Sequence, residues 1–188
     1  MNTSAPVRLS FKAQMLQARE AAIIQSVNRL LAETGFDAMT VDEVAADVGI
    51  AKASLYKHFA SKEELCCAAM VQILGKVQAF LDTVPAELAP QDKLRALVRW
   101  SLERLIGSEM PLLPSRNTAL RGVLMADKRY LDTLIGVSDC IGQWITEAQA
   151  QGRIDPSLPP LVVLYTLYAR ACDPVVEFLK MADQHTDE

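Results

Sequence analysis

The sequence predicts an all-α fold in two helical units, on three observations. Apolar residues recur at three- and four-residue spacing almost throughout the 188 residues, while β-branched residues rarely alternate with polar ones. Glycine (8) and proline (9) are sparse, so no strand run competes with the helical pattern. Past a linker bracketed by Pro85 and Pro90 the composition shifts to more leucine and both tryptophans. With 51% hydrophobic residues, the chain can build one substantial core or two modest ones sharing a helix. The expected division is a flexible N-terminal arm at 1–16, a first unit at 17–77 and a second at 78–188.

The first helix is expected from Lys12 or Gln17 to Thr34, with Ile23, Val27, Leu30 and Leu31 forming its apolar stripe. Gly35 ends it and Phe36 tucks back. Thr40-Val-Asp-Glu43 has capping-box spacing: the threonine hydroxyl accepts from the third backbone N–H and the glutamate reaches back to the cap. It opens a short helix carrying Val41, Val44, Ala45 and Val48, which Gly49 stops. Ile50 anchors the turn before a second short helix from Ala51 to His58. Ser61-Lys-Glu-Glu64 is another capping box, starting a long helix through Leu65, Ala69, Ile73, Val77 and Leu81 to Val84 that joins the two units. The second unit should hold helices at Gln91–Gly107, Ser115–Met125, Asp127–Gln151 and Pro159–Cys172. A buried apolar loop is expected at Met110–Pro114, and Asp173-Pro174 starts a final helix or kinks a longer one.

Two short helices about a glycine turn, at 40–59, are what reading duplex DNA requires: the first braces across the backbone while the second protrudes into the major groove. Leu55 and Phe59, at i and i+4, pin the second helix to its domain. Lys52, Ala53, Ser54, Tyr56, Lys57 and His58 are left facing outward or sideways. Taken singly, Tyr56 also suits a half-buried surface aromatic, Lys57 and His58 a solvated face, and Thr40 a cap alone. Together they favour nucleic acid. The net charge of −4 argues weakly against this, because a local cationic patch suffices. Arg8 and Lys12 extend that patch if the leader acts as an arm.

The stretch AIIQSVNRLLAETGFDAMTVDEVAADVGIAKASLYKHFASKEEL resembles the DNA-binding domain of the TetR family of bacterial transcriptional regulators. The resemblance rests on Gly-Phe after the first helix, Thr-Val opening the next, Val-Gly-Ile at the turn, Ser-Leu-Tyr-Lys-His-Phe and Ser-Lys-Glu-Glu-Leu. It covers about the first third of the chain. It implies that Thr40 contacts a phosphate besides capping. Lys52, Ser54 and Lys57 then face the groove, Tyr56 and His58 hold backbone phosphates, and Lys62 contacts phosphate from the start of the long helix. The donors fit, since lysine serves phosphate or guanine, and Tyr and Ser hydroxyls serve phosphate oxygens. Ala51 departs from a frequent serine, removing a capping hydroxyl. Ala53 departs from a frequent glycine, adding a methyl able to meet thymine, and Ser26-Val27 replaces a frequent alanine pair.

Pro159–Cys172 is apolar nearly all round, and Asp127–Gln151 carries two apolar faces: Leu131, Leu134, Ser138, Ile141 and Ile145 on one, Val137, Trp144 and Ala148 on the other. Helices buried on every side in so small a unit predict a partner chain. The resemblance implies a homodimer through the helices near 127–151 and 159–182, with Gly136, Ser138 and Gly142 permitting close approach. It also implies a pocket for a small-molecule inducer. Candidate lining residues, chosen by chemistry alone, are Trp100, Arg104, Met110, Arg116, Arg121, Trp144, Tyr165 and Tyr168, aromatic or cationic groups in apolar helices.

The expected role is therefore a ligand-responsive repressor binding a palindromic operator, with a helical protein-interaction adaptor as the competing reading. No nucleophile with a base, paired carboxylates or glycine-rich phosphate loop is present, so an enzyme is not expected. Cys66, Cys67, Cys140 and Cys172 lack zinc-site spacing; no metal or cofactor is expected, and only one of the adjacent pair should face the core. The N-terminus lacks a secretory pattern and the apolar run Leu161–Ala169 is too short for a bilayer, so a cytoplasmic protein without membrane partners is expected.

Overall fold

The computed structural model describes residues 10–107, 109–110 and 118–171. All regular structure among them is helical: α1 Phe11–Glu33, α2 Gly35–Ala38, α3 Val41–Val48, α4 Lys52–Leu55, α5 Lys62–Thr83, α6 Pro90–Ile106, α7 Thr118–Ala126, α8 Lys128–Ala150 and α9 Pro160–Ala171. Side-chain caps set many of the boundaries. Ser10, Thr40, Ser61 and Asp127 each accept from the third backbone N–H of the helix they open. Ser10 thereby starts α1 six residues before the expected end of the arm, so 11–16 are helical.

α5 is the shared helix. It packs against α1, α7 and α8, and its buried residues belong to two cores. Leu65, Cys66, Ala69, Met70 and Ile73 join Ile23, Val27 and Leu31 of α1, Phe36, Val44 of α3 and Leu55 of α4. About two helical turns further, Leu81 joins Leu94, Leu97, Val137, Ile141, Trp144, Ile145 and Leu164. Each such side chain fully buried contributes about 1.5–3 kcal/mol. The first core does not stop at residue 77, because Leu105, Met110, Leu120 and Leu124 close it from the far side.

By length and composition α5 could cross a membrane, yet half of its apolar stretch is buried inside the fold. Its apolarity is accounted for by three neighbouring helices. The same enclosure corrects the expectation for the cysteine pair: Cys66 and Cys67 are both buried, because α1 covers one side of α5 and α7 another. Burial pushes the Cys66 thiol up to about 12 and that of Cys67 up to about 11, far above the range where a thiolate forms readily.

α8 buries Val137, Ile141, Trp144, Ile145 and Ala148 and leaves Leu131 and Leu134 half-buried. Ser138 faces inward: its hydroxyl donates to the Leu134 carbonyl at 2.6 Å and shares a 2.7 Å hydrogen bond with the Tyr168 hydroxyl of the same chain. α9 buries only Leu164, while Leu161, Val162 and Tyr165 are more than half exposed. The expected readings at Arg8, residues 111–114, Arg116 and Cys172 and those for 172–182 lie outside the described residues.

Candidate nucleic-acid interface

α3 and α4 are held at a fixed angle by one backbone feature. Gly49 takes φ 70° and ψ 35°, and the Ile50 N–H then reaches the Ala45 carbonyl at 3.0 Å. A Cβ at Gly49 would meet nothing within 4 Å, so conformation rather than space requires glycine here. The turn drops Ile50 onto the core, and Leu55, 1% exposed, pins α4 from beneath.

α4 is shorter than expected, ending at Leu55, with 56–58 forming a turn. Its N-cap, Ala51, makes no side-chain hydrogen bond. The backbone instead tightens: Ser54 N–H donates to Ala51 at 2.8 Å and His58 N–H to Leu55 at 2.9 Å, both three residues back. This brings Lys52, Ala53, Tyr56 and Lys57 to the exposed rim, with Tyr56 45% exposed and Ser54 half-buried beside them.

Thr40 stands at the opening of α3. Its N–H and hydroxyl both donate to Glu43 Oε2 at 2.8 Å, and Oγ1 accepts the Glu43 N–H at 3.2 Å. These bonds, the hydroxyl's first, hold the Glu43 carboxyl below its ordinary value. Lys62, at the first turn of α5, lies 4.5 Å from the centroid of the Phe36 ring and 3.5 Å from the Asp37 carbonyl. Thr40, Lys52, Ala53, Ser54, Tyr56, Lys57 and Lys62 thus belong to the α3–α4 surface and the adjoining end of α5.

His58 does not face outward with them. Its side chain is 9% exposed, and Nδ1 lies 3.3 Å from Glu20 Oε1 of α1. The tight turn at 56–58 carries the imidazole inward, beside Phe59 and over a cleft of about 530 Å³, away from the exposed rim where the sequence placed it. Glu20, Glu64, Cys67, Asp127 and Arg129 also line that cleft.

Two interactions found in the structure were not legible as partners in the chain. Lys52 Nζ sits 2.8 Å from Asp42 Oδ2, a contact that raises the lysine pKa and ties α4 to α3. Arg29 spans Glu33 at 3.0 Å and Asp47 at 2.5 Å, bracing α1 against α3. The Arg29 guanidinium, followed by Ser26, lowers the Asp47 carboxyl.

The ligand-pocket candidates do not converge on one cavity. Trp100 stacks on Phe80 at 5.0 Å, with Arg104 6.0 Å from its ring and bonded to Glu109. Met110 belongs to the first core and Trp144 to the second, Tyr168 is tied to Ser138, and Tyr165 and Arg121 are exposed. Composition identified groups with suitable chemistry, but not which helix faces meet. Among the described residues no group of three or more His, Cys, Asp or Glu can hold a metal ion.

Residues 23–69 match the family model described as bacterial regulatory proteins, tetR family. The chain is 30% identical over 91 residues to the HTH-type transcriptional regulator BetI of Rhizobium meliloti (strain 1021), covering 48% of this chain and 45% of that protein. It is 32% identical over 94 residues to the HTH-type transcriptional repressor KstR2 of Mycobacterium tuberculosis (strain ATCC 25618 / H37Rv), covering 50% and 47%. The chain thus spans less than half the length of these curated relatives. Beyond the matched part, the fold is similar to that of the regulator FadR from Bacillus subtilis, solved with stearoyl-CoA. The TM-score is 0.64 at 19% identity, over 87% of this chain and 88% of that one.

Proposed function

We propose, because this chain belongs to the tetR family of bacterial regulatory proteins, that it is a homodimeric repressor of a palindromic operator, released by a small molecule. The coarser statement, a DNA-binding transcriptional regulator, follows from membership. The observation that supports DNA reading is the exposed set Lys52, Ala53, Tyr56 and Lys57 on a helix fixed from below by Leu55. Lysine and tyrosine tips there suit phosphate and guanine, and the Ala53 methyl suits a thymine methyl. One relative, KstR2, is a transcriptional repressor, which supports the sign of regulation.

Dimerisation is supported by the outward face of α9, where Leu161, Val162 and Tyr165 are 57%, 53% and 61% exposed, and by Ile135 of α8 at 56%. Two copies joined there place two α4 helices in successive major grooves, about 34 Å apart. An effector that prefers a conformer with another spacing releases the DNA, through a coupling of about 1–3 kcal/mol. α5, which enters both cores, is the lever. A solved neighbour in complex with stearoyl-CoA supports a small-molecule effector.

The reading is tested by selecting fragments of the source genome on purified protein at moderate salt, then footprinting. Enrichment of a palindrome with half-sites one helical turn apart supports it. Binding without enrichment of any site, unaffected by alanine at Lys52 and Lys57, favours the adaptor.

A further inference from the structure

We infer that the outer face of α6 is a second binding site, for an anionic amphiphile: a linear apolar chain bearing a carboxylate or phosphate at one end. A groove of about 630 Å³ runs along this face, within the size range of small-ligand sites. Its floor is Leu94, Val98, Leu102 and Ile106, a stripe at four-residue spacing one side chain wide. Val98 and Leu102 are 39% and 40% exposed and Ile106 58%, an apolar run that a monomeric surface seldom leaves in water.

Charge gives the groove a direction. Arg95 and Arg99 flank Leu94 and Val98, and Arg153 also lines the groove, while the single carboxylate lining it, Glu103, lies toward Ile106. Arg95 is engaged by Asp92 at 2.8 Å. Arg99 and Arg153 have no ion-pair partner among the described residues and are exposed. An anionic head placed at the arginines lays its chain over Val98 and Leu102 toward Ile106, whereas the reverse orientation sets the anion against Glu103. A cationic head meets repulsion at one end, and a neutral one leaves two guanidiniums unused. The floor comes from one helix with Ile154 at its edge, which suits a single chain lying along it better than a docked helix, which needs a groove between two ridges.

This site is distinct from the core aromatics and from the cleft behind His58. The test is calorimetric titration of the full-length protein with dodecanoate below its micelle-forming concentration, beside dodecyltrimethylammonium. The variants are Arg99→Glu and Leu102→Asp, both exposed positions, with folding checked by circular dichroism. Saturable dodecanoate binding is expected, weakened about tenfold or more by either substitution, and no comparable binding of the cation. Equal binding of both amphiphiles, or dodecanoate binding indifferent to both substitutions, overturns the proposal. So does self-association abolished by Leu102→Asp, which assigns the face to a second copy. Co-sedimentation with phosphatidylglycerol vesicles without binding of free dodecanoate overturns it in favour of a membrane surface.

Discussion

Lys52 Nζ lies 2.8 Å from Asp42 Oδ2, so a lysine on the exposed rim of α4 is held by a carboxylate of α3. Both side chains are well exposed, 48% and 69%, and such a pair contributes little to folding. Its consequence is competition, because a phosphate must take Lys52 from Asp42.

Asp42→Asn is therefore expected to strengthen binding to random duplex severalfold and to steepen its salt dependence, while Lys52→Ala weakens both. Fluorescence anisotropy across a salt series checks this. Unchanged affinity in Asp42→Asn means that Lys52 does not reach DNA.

Thr40 joins α3 by a reciprocal cap, and Thr40→Ala should cost about 1 kcal/mol, with Thr40→Ser largely neutral. In a chain of this size that is a fall in Tm of about 2–4 °C. The Glu43 carboxyl is held low by the same bonds, so its stabilisation is present above the ordinary glutamate value and fades as pH falls through the lower folded one. Comparing acid unfolding of the parent and Thr40→Ala should show that part of the pH dependence lost.

Gly49 and Gly75 separate conformation from space. Neither would place a Cβ within 4 Å of another atom, but only Gly49 has positive φ. Gly49→Ala should destabilise by about 1–2 kcal/mol, and Gly75→Ala in α5 should stabilise by about 0.5–1 kcal/mol. Chemical denaturation measures both, and equal effects contradict the account of the turn.

His58 is expected to act through position rather than contact. His58→Gln and Glu20→Gln should lower thermal stability and weaken operator and random DNA by the same factor, leaving the salt slope unchanged. A loss of slope in His58→Gln would restore the phosphate contact that the inward ring argues against.

Thiol labelling with peptide mapping tests the enclosure of α5. Cys66 and Cys67 should stay unmodified at pH 8 under native conditions, their thiols being raised to about 12 and about 11 by burial. Cys140, half-buried, should react before either.

Much of this architecture was legible in the chain, because caps and glycines act locally: Thr40, Ser61 and Asp127 mark helix starts and Gly49 the turn. The one-turn α2 escaped because Gly35, at φ 76°, reads as a stop although the chain resumes helix at once. α4 ends sooner than the hydrophobic spacing predicts, because that spacing does not register the cost of an uncapped Ala51. The inward turn of His58, the Lys52–Asp42 tie and the Arg29–Asp47 brace depend on residues 10 to 38 positions apart, which no local pattern records. The pocket candidates scattered for the same reason: periodicity says that Trp100 and Trp144 are sheltered, not by which neighbours.

The central claim, that two copies read DNA through α4, is met most directly by the salt dependence of operator affinity for the parent and Lys57→Ala. Each lost phosphate contact lowers the log–log slope by about 0.9. A dimer in which Lys57 neutralises one phosphate at the groove edge of each half-site should therefore lose about 1.8, with its fold and Tm intact. A slope identical to the parent's would contradict the account.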